Sequence, residues 1–374
     1  MASQTGKTGP QRLTTLGGFT CARKVMTELS QKDIYSPPMR AIHGILCVEI
    51  AMVFYAVQDA MMKSLLETYS VWMLIFFRAL VSVIILSPII LWLGAPYRIL
   101  TPLWPIHAVR GALFAIAFAL FYAAFPFMGL AEVVTIFFSA PLFTAILAAL
   151  WLKETIGPHR AGALIVGFIG ILIAMNPTGD SFTWVALLPL GTAVMYAVSQ
   201  VLARIIGDRE TTLTVGLHTL FFSGLAILPF GWLVAQIVGG NPEFRHLDFN
   251  FFSQFWAGWD ILIFMGAIGM VGYVLLGRAY QVAPASLIAP FDYTYLPIAV
   301  ALGYFLFDEV PPQTTILGMG LIILSGLYLG YREIRALRKT EEPAIVAETT
   351  FVPGNPLPAQ VTDEYEAPDQ PGSR

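Results

Sequence analysis

From Ala41 onward the chain alternates long apolar runs with short polar breaks. Ten runs stand out, near residues 41–63, 71–93, 106–127, 130–151, 158–175, 183–204, 212–237, 259–281, 284–306 and 313–332. Each reaches or nearly reaches the ~20 residues that a helix needs to cross the hydrocarbon core of a bilayer. The runs are continuous instead of alternating in ten-residue segments, which excludes a β-barrel. The pattern predicts an all-α integral membrane protein of ten transmembrane helices. Residues 1–40 read as a disordered cytoplasmic arm, polar and basic through Lys7, Arg12, Arg23, Lys24 and Lys32. Its acid-poor character also suits an organelle transit peptide, though less well, and no apolar core of the signal-peptide type precedes Ala41. Residues 334–374 turn acidic and proline-rich beyond Lys339 and read as a disordered cytoplasmic tail.

Composition narrows the class. Only 12% of the 374 residues are charged and 57% are hydrophobic, where a soluble chain carries about 25% charged residues. A water-soluble enzyme is excluded. A net charge of −3 without clustered basic surface excludes a nucleic-acid partner. Cys21 and Cys47 make neither a disulfide scaffold nor a multi-cysteine metal site. The Lys/Arg bias of the loops fixes the expected orientation. With the N-terminus inside, the cytoplasmic segments carry Arg40, Arg98, Lys153, Arg160, Arg204, Arg209, Arg278, Arg332, Arg335, Arg338 and Lys339, and the outer ones only Lys63 and Arg245. Both termini are therefore expected in the cytoplasm of a multi-pass protein of the inner (plasma) membrane.

The chain also resembles itself. Phe54-Tyr55-Ala56-Val57-Gln58 matches Met195-Tyr196-Ala197-Val198-Ser199 at an offset of 141, and the match ends at Lys63 and Arg204. Ala124-Phe125 aligns with Ala279-Tyr280, and Glu154 with Glu309, at an offset of 155; Gly162 and Gly170 correspond to Gly318 and Gly326. An insertion between the blocks is expected in Asn241–Trp256. The repeats are taken as 41–176 and 182–333. Five spans per half is an odd number, so the second half enters the membrane from the opposite side. Inverted repeats of this kind build secondary transporters, with the site near the midplane. A duplication surviving in a structural membrane protein is the alternative.

The same residues carry a family resemblance. Ala140-Pro141-Leu142-Phe143-Thr144 leads to Trp151-Leu152-Lys153-Glu154 and the Gly162/Gly167/Gly170 helix. In the second half stand Pro290-Phe291-Asp292-Tyr293-Thr294-Tyr295-Leu296-Pro297, then Gly303 through Asp308-Glu309, then Gly318 and Ser325-Gly326. Arg78 within Phe76-Phe77-Arg78-Ala79-Leu80 adds a further match. The chain resembles the drug/metabolite transporter superfamily, EamA type, over about residues 41–335. The Phe-Asp-Tyr-Thr-Tyr stretch is similar to the subgroup of S-adenosylmethionine carriers and related riboflavin carriers. One departure stands out: Pro297 lies twelve residues before Glu309, whereas Pro141 lies thirteen before Glu154. The resemblance implies two five-helix domains and a cavity between helices 1, 3 and 4 and their partners 6, 8 and 9.

Ionisable and polar groups inside spans are expensive, so each is a functional candidate. Tyr55, Gln58, Asp59 and Met62 share one face of the first span, and Tyr196, Ser199, Gln200 and Ala203 repeat that stripe on the sixth. The stripes line a cavity or hold helices together. Asp59 is placed either in the site or in a local pair with Lys63, four residues on. Asp292, between Pro290 and Pro297, is the preferred charge partner or proton site, with an ion pair to Arg78 or Arg278 as its structural reading. Arg78 is a structural or gating partner for a carboxylate. Tyr122, Tyr273 and Tyr295 complete the lining, because a buried hydroxyl seeks a partner. Arg110 and Arg278 lie near span ends and read as snorkelling. Glu49 and Glu132 are further titratable groups within spans. Glu154 and Glu309 read as caps of the helices that follow them. His43, His107 and His218 are scattered and make no metal site, and no cofactor is expected.

The expected function is a secondary transporter that moves a small organic metabolite by alternating access: S-adenosylmethionine-, amino-acid- or riboflavin-like. Its partners are that solute and the lipid bilayer, with homodimerisation left open. No GxxxxGK[ST] loop supplies ATP, and no HExxH or GxSxG motif supports an intramembrane enzyme. A lipid scramblase or purely structural protein is the competing class.

Overall fold

The computed structural model describes residues 37–94, 97, 99–151, 157–177, 183–206, 209–249, 258–283 and 285–337. The expected N-terminal arm up to residue 36, Glu154 and the tail beyond residue 337 lie outside the described residues. No strand occurs among the described residues.

Among the described residues twelve α-helices form: α1 Pro37–Leu65, α2 Val71–Leu93, α3 Trp104–Ala123, α4 Leu130–Phe137, α5 Ala140–Trp151, α6 Pro158–Met175, α7 Leu187–Ile206, α8 Thr212–Val238, α9 Trp259–Val282, α10 Ala285–Ile288, α11 Tyr295–Phe307 and α12 Gln313–Leu337. Local chemistry sets their ends. Ser70 caps α2 by accepting from the Met73 amide, and Thr211 caps α8 by accepting from the Thr214 amide. Asn176 closes α6 in the left-handed conformation at φ +46°.

Seven of the expected spans are helices long and apolar enough to cross a bilayer: Ala41–Leu65, Val71–Leu93, Trp104–Ala123, Leu130–Trp151, Trp184–Ile206, Thr212–Val238 and Trp259–Tyr280. The other three depart from simple spans. Ala161–Met175 and Gln313–Tyr328 are apolar but shorter. The expected 284–306 span is broken into α10, a 3₁₀ segment Ala289–Thr294, and α11. Pro290 cannot donate to an α-helical ladder and opens the 3₁₀ segment, whereas Pro297 sits in the first turn of α11, where its amide has no intrahelical acceptor to lose. The span at 130–151 is likewise interrupted, between α4 and α5, just ahead of Pro141.

Helix starts repeat along the chain. Trp104, Leu130, Ala140 and Pro158 open α3 to α6, and Trp259, Ala285, Tyr295 and Gln313 open α9 to α12, each 155 residues later. Ser70 and Thr211, both caps, and Pro88 and Pro229, both inside helices, stand 141 apart. These are the two offsets of the sequence repeat.

Packing follows from small residues at crossings. α6 and α12 meet where a Cβ on Gly318 would clash with the Gly170 carbonyl oxygen, so only glycine permits the approach. Ser325 donates to the Ala163 carbonyl across the same pair, at 2.6 Å. α3 packs on α7 and α8, α2 on α8 and α9, α5 on α7, and α4 on α11. Many large apolar side chains, among them Ile84, Leu91, Trp92, Ile165, Leu225 and Phe305, face outward. A lipid environment accounts for that.

Candidate functional site

All of the predicted site residues are buried: Tyr55, Gln58, Asp59, Tyr122, Tyr196, Gln200, Tyr273, Asp292 and Tyr295, with Arg78 alongside. Four of them form one connected network. Asp59 on α1 accepts from the Tyr122 hydroxyl of α3 at 2.9 Å and from the Tyr295 hydroxyl of α11. Arg78 on α2 donates to the same Tyr122 oxygen at 2.7 Å. Tyr122 is therefore acceptor for the guanidinium and donor to the carboxylate, a bridge between opposite charges. The guanidinium lies 5.1 Å from the centroid of the Phe118 ring and 6.0 Å from that of Phe114, and these faces attract a cation. A carboxylate held this way can exchange its tyrosine donors for a cationic or hydrogen-bonding group of a solute, or take up a proton.

The other residues surround this network unevenly. Tyr55 lies within electrostatic reach of Tyr196, Tyr273, Asp292 and Arg78. The hydroxyls of Tyr55 and Tyr273 are buried without a hydrogen-bond partner. Asp292 sits in the 3₁₀ break and accepts from Tyr280 at 3.0 Å. Gln58 donates to the Met265 carbonyl of α9 at 3.2 Å, which is helix-to-helix bonding. Gln200 donates to Tyr196 on its own helix at 3.0 Å. The polar stripes of α1 and α7 thus serve the core and the packing together.

Asp59 and Lys63 do not form the local pair that their spacing allows. Lys63 pairs with Glu309 and also donates to the Met128 carbonyl at 2.8 Å. Phe125 and Phe307 flank its ammonium, with ring centroids at 5.9 and 5.4 Å. The other oxygen of Glu309 accepts from the Leu130 amide at 2.8 Å, so Glu309 does cap a helix, but it is α4 and not the α12 that follows it. The pair lines a cavity of about 690 Å³ together with Glu67, Glu132, Arg245 and His246. That volume lies in the range of small-molecule sites. His246 has its pKa lowered by burial, against weaker opposing contributions from a backbone hydrogen bond to Ala123 and the charge of Asp248.

Three groups escaped the sequence reading. Arg110 does not snorkel: it is fully buried, donating to the Ser199 carbonyl at 2.9 Å and the Thr219 hydroxyl at 2.8 Å. The carbonyl and hydroxyl of two neighbouring helices replace water for it. His107 and His218, far apart in sequence, stack with ring centroids 4.9 Å apart. The Lys63–Glu309 pair had one signal available, since both residues end repeat blocks.

Comparison with known proteins agrees with the EamA resemblance read from residues 140–154 and 290–297. The riboflavin transporter of Vibrio cholerae is 28% identical over 260 residues, covering 69% of this chain and 82% of that protein. The S-adenosylmethionine uptake transporter of Rickettsia bellii is 26% identical over 293 residues, covering 78% of this chain and 94% of that protein. Both are transporters and not enzymes. The profile of the EamA-like transporter family matches residues 42–176 and again 183–331. With both repeats matched and the bulk of the chain covered, this membrane protein belongs to the EamA-like transporter family.

Proposed function

We propose that the chain is a secondary transporter, moving a small organic metabolite across the plasma membrane by alternating access around Asp59. The observation that carries this is the stacking of two layers along α1. The Asp59–Tyr122–Tyr295–Arg78 network lies one helical turn below the Lys63–Glu309 pair, which lines the cavity above. The network draws on α1, α2, α3 and α11, so relative motion of these helices makes and breaks it.

The architecture behind the proposal is ten membrane-crossing segments in two inverted five-helix repeats, 41–176 and 182–333, with both tails cytoplasmic. Its support is the recurrence of helix starts and a packing scheme that survives exchange of the halves. Under that exchange α3 on α8 becomes α9 on α2, and both contacts occur. The contact of α3 with α7 becomes α9 with α1, where Gly269 meets Gln58. The substrate class is that of the relatives, S-adenosylmethionine- or riboflavin-like, with amino-acid-like solutes as the remaining candidates. Asp59 and Asp292 supply negative charge for a cationic or zwitterionic solute, Tyr55, Tyr196 and Tyr273 supply aromatic faces, and the hydroxyls of Tyr55 and Tyr273 have no hydrogen-bond partner.

Counterflow in proteoliposomes tests this. Vesicles are loaded separately with unlabelled S-adenosylmethionine, riboflavin and mixed amino acids, and uptake of the labelled partner is followed. Accelerated uptake with one loading, lost in Asp59→Asn at equal protein level, is the expected result. Silence with all three from folded protein removes these substrates, and uptake unaffected by Asp59→Asn removes the site.

A further inference from the structure

Away from the central network, two histidines and a glutamate from separate parts of the chain converge. His107 lies in the first turn of α3, Glu210 directly before the Thr211 cap, and His218 in the second turn of α8. One possible ligand atom from each lies within 4.8 Å of the others, and all three residues are buried. His107 Nε2 is 2.7 Å from Glu210 Oε2, and the other oxygen of Glu210 accepts from the Thr101 hydroxyl.

In their neutral forms the two rings leave nitrogens without a matched partner. His218 Nδ1 faces the Thr214 carbonyl at 2.7 Å and Nε2 faces the Ile99 carbonyl at 2.9 Å. Carbonyl oxygens only accept, and a neutral imidazole carries one N–H. If Nδ1–H donates to Thr214, Nε2 sets its lone pair against that of Ile99. His107 Nδ1 is buried with no hydrogen-bond partner at all. Two imidazoles and a carboxylate that face one another this closely can share one cation.

We propose that His107, Glu210 and His218 form a binding site for a divalent transition-metal ion of the Zn(II) class. Two imidazoles and one carboxylate are a known zinc ligand set, leaving a further position open. The second shell is of the matching kind: an Nδ1–H held by a backbone carbonyl fixes the ring of His218, and a hydroxyl orients Glu210. An ion there joins α3 to α8 and to the segment directly ahead of α8.

The test uses the purified full-length protein, stripped with chelator and dialysed against Zn(II) near neutral pH, with metal counted by mass spectrometry. The expected result is about one zinc per chain, falling at least about fivefold in His107→Ala and in His218→Ala and unchanged in His159→Ala. Co(II) added to the unsubstituted protein is expected to give the intense visible bands of a four-coordinate site, a readout that does not require the variants to fold. Zinc retained undiminished in both histidine variants overturns the assignment. So does folded, unsubstituted protein that binds no zinc and gives no Co(II) bands.

Discussion

Tyr122→Phe is the most informative single change, because it deletes one oxygen that serves two charges. The hydroxyl accepts from Arg78 at 2.7 Å and donates to Asp59 at 2.9 Å. Each bond has an ionised partner and is worth about 1.5–3 kcal/mol. Asp59 keeps its Tyr295 donor, and Arg78 keeps the ring faces of Phe114 and Phe118. The lower end of the summed range therefore applies, a loss of about 3 kcal/mol. An ordinary interhelical hydrogen bond in a membrane protein averages only ~0.6 kcal/mol, so the two possibilities are well separated. The assay is unfolding in mixed micelles titrated with sodium dodecyl sulfate, followed by far-ultraviolet circular dichroism. Tyr273→Phe is the matched control: its hydroxyl is buried without a partner, so its removal is expected to be neutral or stabilising. Combining Tyr122→Phe with Asp59→Asn is expected to be non-additive by at least about 1 kcal/mol. A loss below about 1 kcal/mol for Tyr122→Phe, or equal losses for the two tyrosine variants, refutes the bridge between Arg78 and Asp59.

Three further outcomes follow from the same geometry. Glu309→Gln weakens the anchor on the Leu130 amide, and hydrogen exchange over Leu130–Phe137 is expected to accelerate by about 10- to 100-fold, the equivalent of losing ~1.5–3 kcal/mol locally. Gly318→Val puts a Cβ against the Gly170 carbonyl, and a loss of about 1–3 kcal/mol or failure to fold is expected in the same micelle titration. Burial lowers the pKa of His246, so the unfolded chain binds the extra proton first and stability falls as pH drops below about 6.5. His246→Gln is expected to reduce the fall in melting temperature between about pH 7 and about pH 5.

The sequence made different parts of this structure readable to different degrees. Apolar run length located the membrane segments because desolvation of the backbone is decided locally, residue by residue. Run length alone gave one continuous span over 284–306, because it does not register the amide that Pro290 lacks. Spacing placed Tyr55, Asp59 and Tyr196 on interior faces, but a face does not say which helix will arrive opposite it. Asp59 illustrates the limit: its neighbour Lys63 stood four residues away, yet its partners came from Tyr122 and Tyr295. Lys63 instead found Glu309, 246 residues along the chain. Arg110 looked able to reach water from a helix end until Ser199 and Thr219 supplied acceptors inside. His107, Glu210 and His218 carry no spacing signature, since their meeting depends on α3 and α8 being neighbours.

The turn after α11 has a consequence for how the mouth of the cavity can move. Asp308 takes the left-handed conformation at φ +53°, and the amides of Asp308 and Glu309 close onto the carbonyls of Tyr304 and Gly303. That single torsion throws the Glu309 carboxylate back over the ends of α1 and α4. Lys63 and the Leu130 amide both hang on it, so it works as one pin in a latch. Withdrawing the pin leaves an ammonium and a helix start to be wetted in the same event. A partly withdrawn Glu309 satisfies neither partner, so on the proposed transport reading both contacts are expected to be lost together.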